Sequence, residues 1–381
     1  MDFEYFAAPA ILLLAAALVI WCGLRHLATL STRYTRQWPQ LLDRLIVGSI
    51  SGVAVAFATT ATFNAVDLAR FRAQHPSPGE LYAVNGRTMH LNCTGSGSPT
   101  LILDSGLGSD ALIWGRVQPH LAETTRVCSY DRAGYGWSDT QPGPRDADHI
   151  TADLHQLLQT AGVHGPLVLM GHSIAGLYIR DYAARYPQDV AGLIFVDGST
   201  PLQDENPALA AAGETGLAQR ASILVVRAAA VAGINRLAGS CARPIQGFDP
   251  QAGRALAEDL CHPPFFTIEH ELDSFHKSGE ETAPLNSFGS LPVLIFSQDP
   301  ARVLAQKHPP QALAAMEIAW NQMQENLKKL STRSCRIIAR GSSHAIQIDR
   351  PDLLEREVPR FIDQVRGNAP ELDCYGSTLT E

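Results

Sequence analysis

The most informative part of this sequence is Pro166-Leu-Val-Leu-Met-Gly-His-Ser-Ile-Ala-Gly-Leu-Tyr-Ile-Arg180. Its apolar run 167–170 predicts a short strand buried on both faces, and the residues after Ala175 follow a helical pattern. Ser173 lies between them on a tight turn, with small residues at Gly171 and Ala175. Such a strand-to-helix turn exposes a serine hydroxyl at the end of the strand, which is an arrangement typical of a nucleophile.

Strands and helices are predicted to alternate on both sides of this stretch. Apolar or alternating runs bounded by turn residues predict the other strands, at 81–84, 87–93 (around an Asn-Gly turn), 99–104, 125–130, 190–196, 291–296 and 335–340. Helical patterns fall at 114–123, 150–161, 175–186, 221–237 and 320–330. This alternation implies a mostly parallel sheet that is covered by helices on both faces.

The composition limits the classes of protein to consider. The chain has 381 residues, of which 45% are hydrophobic and 18% charged, and its formal net charge is -8. This length accommodates one large α/β domain with additional segments. The acidic balance, without any run of Lys or Arg, argues against a nucleic-acid-binding surface.

Two apolar runs near the N-terminus, 7–24 and 45–66, explain the low charged fraction. Each is close to the length of about 20 residues that spans a bilayer core, so we predict a transmembrane hairpin with helices at about 7–27 and 45–66. The alternatives are a cleaved signal peptide for the first run and a buried core helix for the second. Asp2 and Glu4, in a leader that lacks basic residues, argue against the signal peptide.

The basic residues predict the orientation of this hairpin. The connecting segment carries Arg25, Arg33, Arg36 and Arg44, whereas the residues before the first run include no Lys or Arg. The positive-inside rule therefore places the connector in the cytoplasm and the chain after residue 66 on the opposite side. Arg70 and Arg72, just beyond the second run, weaken this asymmetry.

The cysteines provide an independent test of this topology. One of the seven, Cys22, falls in the first apolar run, and six remain in the rest of the chain. An even number of cysteines suggests disulfides in an exported domain, whereas six free thiols in a cytosolic enzyme are the alternative. Because the predicted topology agrees with the cysteine count, we expect an extracytoplasmic domain.

Three motifs in order along the chain carry a resemblance to a known family. They are Ser105-Gly-Leu-Gly108, Tyr130-Asp-Arg-Ala-Gly-Tyr-Gly-Trp-Ser-Asp139 and Gly171-His-Ser-Ile-Ala-Gly176. Together they resemble the α/β-hydrolase superfamily over roughly 79–367, and more closely its bacterial members with a Ser-Gly-Leu-Gly oxyanion segment. Ala175 replaces the last glycine of the usual Gly-x-Ser-x-Gly pattern.

The resemblance implies an α/β-hydrolase fold: an eight-stranded, mostly parallel sheet with helices on both faces and a helical cap at about 200–290. The expected organisation is a membrane hairpin at 1–69, a linker at 70–80, the hydrolase domain at 81–367 and a tail at 368–381. Because the family's second and fourth strands are neighbours, we expect the pair Cys93–Cys128. Cys241–Cys261 within the cap and Cys335–Cys374 between the last strand and the tail are the other expected pairs. The expected location is a bacterial inner membrane, with the domain on the periplasmic side.

Catalysis of acyl transfer would require a base and an acid beside Ser173. In this fold the acid precedes the histidine along the chain. Asp299, after the strand 291–296, occupies the position where the family places its acid, and Asp197, at the end of the strand 190–196, is the rival. His344, after the last predicted strand, resembles the family's catalytic histidine.

The oxyanion formed during such a reaction needs two backbone N–H donors, which the resemblance assigns to Leu107 and Ile174. The common family form has His-Gly before the first donor, whereas this chain has Ser105-Gly106. His172 is expected to be a packing or pocket-lining residue rather than a second base, and the turn at 131–132 is expected to have a structural role.

These observations predict a membrane-anchored, carboxylesterase- or lipase-like serine hydrolase that forms an acyl-enzyme with a small, apolar acyl substrate. No metal or organic cofactor is expected, because the cysteines are spread singly along the chain. An acyltransferase, a thioesterase, an aminopeptidase and a non-catalytic binding module remain alternatives, since a fold does not determine a reaction. Epoxide hydrolases and dehalogenases are disfavoured because those relatives have an aspartate at the position of Ser173.

Overall fold

The computed structural model describes residues 3–33, 37–213, 217–307 and 310–368. The strands are β1 (Glu80–Val84), β2 (Arg87–Thr94), β3 (Thr100–Asp104), β4 (Val127–Tyr130), β5 (Leu167–His172), β6 (Val190–Val196), β7 (Val293–Ser297) and β8 (Ser334–Ile338). They form one eight-stranded sheet in the order β1-β2-β4-β3-β5-β6-β7-β8. The β1–β2 and β2–β4 pairs are antiparallel and the other pairs are parallel. The predicted sheet is therefore confirmed.

The helices are α1 (Phe3–Arg33), α2 (Gln37–Gln74), α3 (Gln118–Leu121), α4 (Ala147–Thr160), α5 (Ala175–Arg185), α6 (Pro207–Gly213), α7 (Leu217–Val231), α8 (Ile234–Leu237), α9 (Pro250–Cys261), α10 (Phe265–Asp273), α11 (Phe275–Thr282), α12 (Ala301–Leu304), α13 (Gln311–Asn326), α14 (Ile346–Asp349) and α15 (Pro351–Val365). Short 3-10 helices occur at Ala111–Trp114, Gln203–Glu205 and Leu327–Leu330. The cap helices α6–α11 all lie between β6 and β7 along the chain.

Two predicted helices are each divided in the structure. The pattern at 114–123 contains the end of a 3-10 helix, Ala111–Trp114, and the short α3, with residues 115–117 between them; Pro119 lies in the first turn of α3. The pattern at 221–237 forms α7 and α8, which are separated at Gly233. This glycine has φ +70° and lies so close to Asn64 that a Cβ would be 2.8 Å from the Asn64 Cβ. Only glycine adopts this conformation readily at such a close approach.

The core lies on both faces of the sheet. On one face, Leu167 and Leu169 of β5 belong to a buried cluster with Leu157 of α4 and Ile179 of α5. The alternate β5 residues, Val168 and Met170, belong to the cluster on the other face, which includes Leu354 and Phe361 of α15. Each such buried side chain contributes roughly 1.5–3 kcal/mol of transfer free energy. The strand before Ser173 is therefore fixed from both sides.

The two N-terminal helices pack along each other. A Cβ added at Gly23 of α1 would be 2.5 Å from Val47 Cγ1 of α2, so the glycine permits a close approach. By length and composition, Pro9–His26 and Leu41–Gln74 are each able to cross a membrane, with mean hydropathy 1.7 in both. The two helices are compatible with the predicted hairpin.

The second helix is longer than predicted. It continues to Gln74, because Leu68 and Phe71 are buried against cap residues, and β1 begins at Glu80. The linker predicted at 70–80 therefore overlaps the end of a helix, and only residues 75–79 separate α2 from the sheet.

Two of the expected disulfides are present. Cys93 and Cys128 face each other in the register of β2 and β4 and are bonded. Cys241 and Cys261 form a second bond within the cap. The third expected pair, Cys335–Cys374, includes a residue that lies outside the described part of the chain.

Candidate active site

Ser173 follows β5 directly and has φ +56°, a left-handed conformation that is unusual for a residue with a side chain. Such strain is typical of functional turns and must be held by close packing. A Cβ at Gly171 would be 2.8 Å from the Ala175 carbonyl oxygen, and one at Gly176 would be 2.8 Å from the Ser199 carbonyl oxygen. The turn therefore requires glycine at 171 and 176, whereas position 175 accommodates a methyl group.

His344 lies after β8 and contacts Ser173 and a carboxylate with its two ring nitrogens. Its Nε2 is 2.8 Å from Ser173 Oγ, and its Nδ1 is 2.6 Å from Asp197 Oδ2. In the tautomer that satisfies both contacts, Nδ1–H donates to the carboxylate and Nε2 accepts from the serine hydroxyl. This arrangement suits His344 to remove the hydroxyl proton of Ser173.

Asp197 follows β6 immediately and is fully buried. Its Oδ1 accepts a hydrogen bond of 3.0 Å from the Gln298 backbone N–H, while its Oδ2 faces His344. Both carboxylate oxygens therefore have a hydrogen-bond donor, and these contacts fix the orientation of the group towards the imidazole.

The prediction that Asp299 is the acid facing His344 is wrong. Its Oδ1 accepts from the Ala301 N–H at 3.0 Å, and its Oδ2 accepts from the Gly341 N–H at 2.9 Å. Asp299 lies two residues beyond the end of β7, where its carboxylate caps the first turn of α12 and holds the loop after β8. The rival residue of the sequence analysis, Asp197, makes the contact instead.

Leu107 and Ile174, the expected oxyanion donors, both line the cavity at Ser173. The segment that holds Leu107 is fixed from behind. Ser105 Oγ donates to the Asp110 carbonyl at 2.7 Å, and Arg132 donates to the carbonyls of Ser105 and of Gly106. The serine that replaces the common histidine of this segment thus closes its own turn.

Arg132 is the centre of a buried charge cluster beneath this segment, which we call the core cluster: Asp104, Arg132, Arg145 and Glu271. Arg132 contacts Asp104 at 2.8 Å and Glu271 at 3.0 Å, and Arg145 contacts Glu271 at 2.8 Å. Burial alone would raise the pKa of Glu271, but the two guanidinium groups outweigh it and lower that pKa below its usual value.

The cluster also connects two parts of the fold. Glu271 belongs to the cap helix α10, whereas Arg132 belongs to the turn after β4. The neighbouring residue Asp131 accepts from the backbone N–H of Ala111 and of Trp137, so it has the structural role predicted for this turn. Sequence reasoning missed Glu271, since an acidic residue in a surface-like helix gives no sign of being buried.

His172 is buried beside the site. Burial, and then the neighbouring His344, lower its pKa to about 3. The neutral ring has its Nε2 at 3.0 Å from the His344 carbonyl, to which it donates. It therefore supports the backbone of His344. Gly106 packs against this ring so closely that a Cβ there would be 2.6 Å from His172 Nδ1.

A cavity of about 610 Å³ opens at Ser173 and His344. Its other lining residues are Leu107, Ile174, Ser199, Gln203, Asp204, Leu209, Ala210, Leu272, Phe275, His276 and Trp320. Most of the exposed cavity surface is apolar, and Trp320 lies with its ring edge-on to His344 at 5.5 Å. The volume and lining suit an apolar group of a small molecule. Within the described residues, no group of three or more His, Cys, Asp or Glu side chains could hold a metal ion.

Residues 101–357 match the model of the alpha/beta hydrolase family. The human (lyso)-N-acylphosphatidylethanolamine lipase is 25% identical over 280 residues, which are 70% of this chain and 79% of that protein. Four relatives with identities of 30% to 38% are matched over only 16% to 39% of their own length.

Two solved structures have a similar fold. A membrane phospholipase A, described as a bacterial virulence factor, has a TM-score of 0.54 at 21% identity and covers 86% of this chain and 99% of its own. An esterase from Thermogutta terrifontis has a TM-score of 0.53 at 18% identity and covers 76% of this chain and 99% of its own. At these identities the likeness concerns the fold alone.

Proposed function

The chain belongs to the alpha/beta hydrolase family, and on this premise we propose that it is a membrane-anchored serine hydrolase that cleaves an ester or a related acyl bond. The observation that carries the proposal is the continuous contact from Ser173 through His344 to Asp197, at 2.8 and 2.6 Å. A serine needs such a base to become a nucleophile, and the base needs a carboxylate to hold its tautomer.

The proposed reaction has two steps. Ser173 Oγ attacks the acyl carbon while His344 Nε2 takes its proton, and the imidazolium then protonates the leaving alcohol as the acyl–oxygen bond breaks. Water attacks the acyl-enzyme in the same way and releases the acid. Asp197 stabilises the imidazolium in both steps, and the backbone N–H groups of Leu107 and Ile174 are the proposed donors to the oxyanion.

The nature of the cavity supports an acyl substrate with an apolar chain. Leu209, Leu272 and Phe275 form apolar parts of its lining near Ser173. The resemblance in sequence to a human lipase that acts on N-acylphosphatidylethanolamine agrees with this substrate class. The two long apolar helices support the attachment of the enzyme to a membrane.

We test the nucleophile and its partners with a fluorophosphonate probe on the full-length protein in detergent. Labelling is expected at Ser173, and the variant Ser173→Ala should not react. Asp197→Asn should lower the labelling rate by about 10³–10⁴-fold, because the histidine then takes the wrong tautomer. Asp299→Asn is the matched control and should label far faster than Asp197→Asn, since Asp299 holds the loop after β8 but does not contact His344.

The opposite pattern, with Asp299→Asn slow and Asp197→Asn fast, would contradict the proposed acid. A folded native protein that does not label and does not hydrolyse a soluble ester would contradict the proposed function.

We also propose that the hydrolase domain lies outside the cytoplasm. The arginines of the connector and the bonds Cys93–Cys128 and Cys241–Cys261 support this location. The test is a Leu81→Cys variant in a Cys22→Ser background, because Leu81 is exposed. A membrane-impermeant maleimide should label it in intact spheroplasts. Labelling only after lysis would reverse the orientation.

A further inference from the structure

The cap helix α7 exposes four consecutive apolar residues, and the one polar residue among its described side chains at 223–231, Arg227, is paired with Glu269 of α10. Its residues Ile223, Leu224, Val225 and Val226 are exposed by 42%, 66%, 68% and 57%. Successive residues of a helix are about 100° apart, so these four side chains surround the helix. Ile234 and Leu237 of α8 extend the exposed apolar surface. An exposed apolar surface of this kind is costly in water and marks a site of contact with lipid or with another protein.

The contacts of α7 place it beside the two N-terminal helices. Asn64 Nδ2 of α2 donates to the carbonyls of Ala230 and Val231, at 3.1 and 3.3 Å, where α7 ends. Helix α1 also contacts α7. The surface of α7 is therefore continuous with the helices that are able to cross a membrane.

The depth of this contact in the bilayer follows from the positions of the charged residues of α2. No charged residue occurs between Arg44 and Asp67, and this interval rises about 33 Å along the helix. The hydrocarbon core of a bilayer is about 30 Å thick, so Asp67 marks the outer boundary if α2 spans it. Asn64 lies one helical turn from Asp67. The end of α7 is consequently at the boundary between hydrocarbon and head groups.

A second group of contacts, which we call the clasp, holds the cap at this level: Asn64, Asp67, Arg236, Glu258 and His262. Asn64 Oδ1 accepts from Arg236 Nε at 3.0 Å and from His262 Nε2 at 2.9 Å. Arg236 also pairs with Asp67 of α2 and with Glu258 of α9. Since Asn64, Glu258 and His262 are buried, separating the cap from α2 would leave polar groups without partners.

The cavity and α7 are close along the chain. Leu209 and Ala210 of α6 line the cavity at Ser173. Helix α6 ends at Gly213 and α7 begins at Leu217, so at most about 14 Å of extended chain separates them. An acyl chain leaving a lipid layer at α7 would thus meet an apolar wall of the cavity after a short distance.

We propose that α7 lies in the outer layer of the membrane that the hairpin spans, and that the substrate is an amphipathic lipid ester taken directly from that layer. This inference rests on the proposed hydrolase function and adds the source of the substrate. The bilayer, rather than a partner protein, is the occupant of the α7 surface, because that surface continues the lipid-facing surface of α1 and α2.

The test compares two substrates of the same full-length protein, reconstituted in vesicles of phosphatidylethanolamine and phosphatidylglycerol. One substrate is the soluble ester nitrophenyl butyrate. The other is membrane lipid, and its hydrolysis is measured as the fatty acid released from phospholipid and from added monoacylglycerol. The double variant Leu224→Gln, Val225→Gln should hydrolyse the soluble ester within about twofold of the native rate but the lipid at least about tenfold more slowly, since two apolar side chains leave the lipid layer. Leu81→Gln, at another exposed leucine (51% exposed, on the edge strand β1), is the matched control and should change neither rate.

Equal lipid hydrolysis by the native protein and the double variant would overturn the inference, as would a native protein that cleaves only the soluble ester. Both of these results leave the proposed hydrolase function intact. If the native protein cleaves neither substrate, and so behaves as the Ser173→Ala variant should, the proposed function is refuted.

A direct measurement of location covers the case in which the double variant does not fold. The added fluorescence of Val225→Trp, after subtraction of the native signal, should be quenched by lipids brominated on their acyl chains. An unquenched signal would overturn the inference. A dimer formed through the α7 surface would also leave the signal unquenched, and this result would overturn the inference as well.

Discussion

Two of the polar attachments of the cap, the core cluster and the clasp, differ in what they hold. The core cluster joins Glu271 of the cap to Arg132 and Arg145 of the hydrolase core, with two cationic and two anionic groups in a buried site. The clasp joins Glu258 and His262 of the cap to α2, with the neutral Asn64 at its centre. Arg132 also holds the carbonyls of the segment that carries Leu107. The first attachment therefore supports the geometry of the site, and the second determines where the cap lies.

Among changes to these two attachments, the largest effect should come from Glu271→Gln. The change leaves Arg132 and Arg145 without their shared carboxylate, so the free energy of unfolding should fall by about 3–5 kcal/mol. Because Arg132 then loses a contact that orients it, kcat for a soluble ester should also fall by about tenfold. Urea unfolding in detergent, followed by tryptophan fluorescence, and initial rates measure the two effects. A destabilised variant that keeps the native kcat would show that the core cluster does not support the geometry of the active site.

The pH dependence of this variant gives a second test. The pKa of Glu271 is lowered in the folded state. Its stabilisation is therefore complete above the unfolded value of about 4.3 and is lost as the pH falls through the lower folded value. The difference in stability between native protein and Glu271→Gln should be full at neutral pH and shrink in acid. A difference that grows in acid would contradict the assignment of the charges.

The next effect concerns the disulfide beside the clasp. The double variant Cys241→Ser, Cys261→Ser opens a loop with a sequence separation of 20 and should reduce the free energy of unfolding by about 3 kcal/mol. We expect kcat for a soluble ester to change little, because this disulfide does not contact the core cluster. A tenfold loss of kcat without unfolding would show that the two attachments are not independent.

Glu258→Gln provides the matched comparison with Glu271→Gln, since both are buried glutamates of the cap. Arg236 keeps its contact with Asp67, so we expect a smaller loss of stability, about 2 kcal/mol. The rate on a soluble ester should be native and the rate on membrane lipid reduced. Equal losses of kcat in the two variants would remove the distinction between the core cluster and the clasp.

The last comparison is Asn64→Ala, which leaves the ion pairs of the clasp in place. It removes the hydrogen bonds that Asn64 donates to the carbonyls of Ala230 and Val231 and accepts from Arg236 and His262, at a cost of roughly 0.5–1.5 kcal/mol for each bond. Proteolysis of the cap in vesicles, which detects its release from α2, should become faster while the core remains protected. Unchanged protection of the cap would mean that α2 does not hold it.

The sequence predicted the sheet and the placement of Ser173 and His344 well, because apolar runs bounded by turns mark buried strands and both residues follow such runs. It did not distinguish Asp197 from Asp299, since each follows a buried strand and precedes His344 along the chain. Which of the two carboxylates faces His344 depends on the turn that follows each strand. Asp197 comes directly after β6, whereas Gln298 separates Asp299 from the end of β7, and the Asp299 carboxylate accepts from the N–H groups of Ala301 and Gly341.

Neither cap attachment was predicted. Glu271 and Arg132 are 139 positions apart, and Arg236 and Asp67 are 169 apart, so no local pattern relates them. The sequence does contain a local signal for the full length of α2. Ala61, Ala65 and Leu68 are buried and follow the spacing of one helical face, which continues past the end of the apolar run at residue 66. The charges at Asp67, Arg70 and Arg72 suggested an end to the helix, although they lie on a helix that continues.

Helix α2 also gives the molecule a mechanical property. It extends without a break from Gln37 to Gln74, a length of about 57 Å, and its last turns are fastened to the cap by the clasp. A helix responds to a thicker or thinner bilayer by changing its tilt. Because α2 is fastened to the cap, a change in its tilt would also move the cap, which contributes residues such as Leu209 and Leu272 to the lining of the cavity. In the proposed membrane placement, the thickness of the bilayer is therefore expected to affect the rate of the proposed hydrolysis.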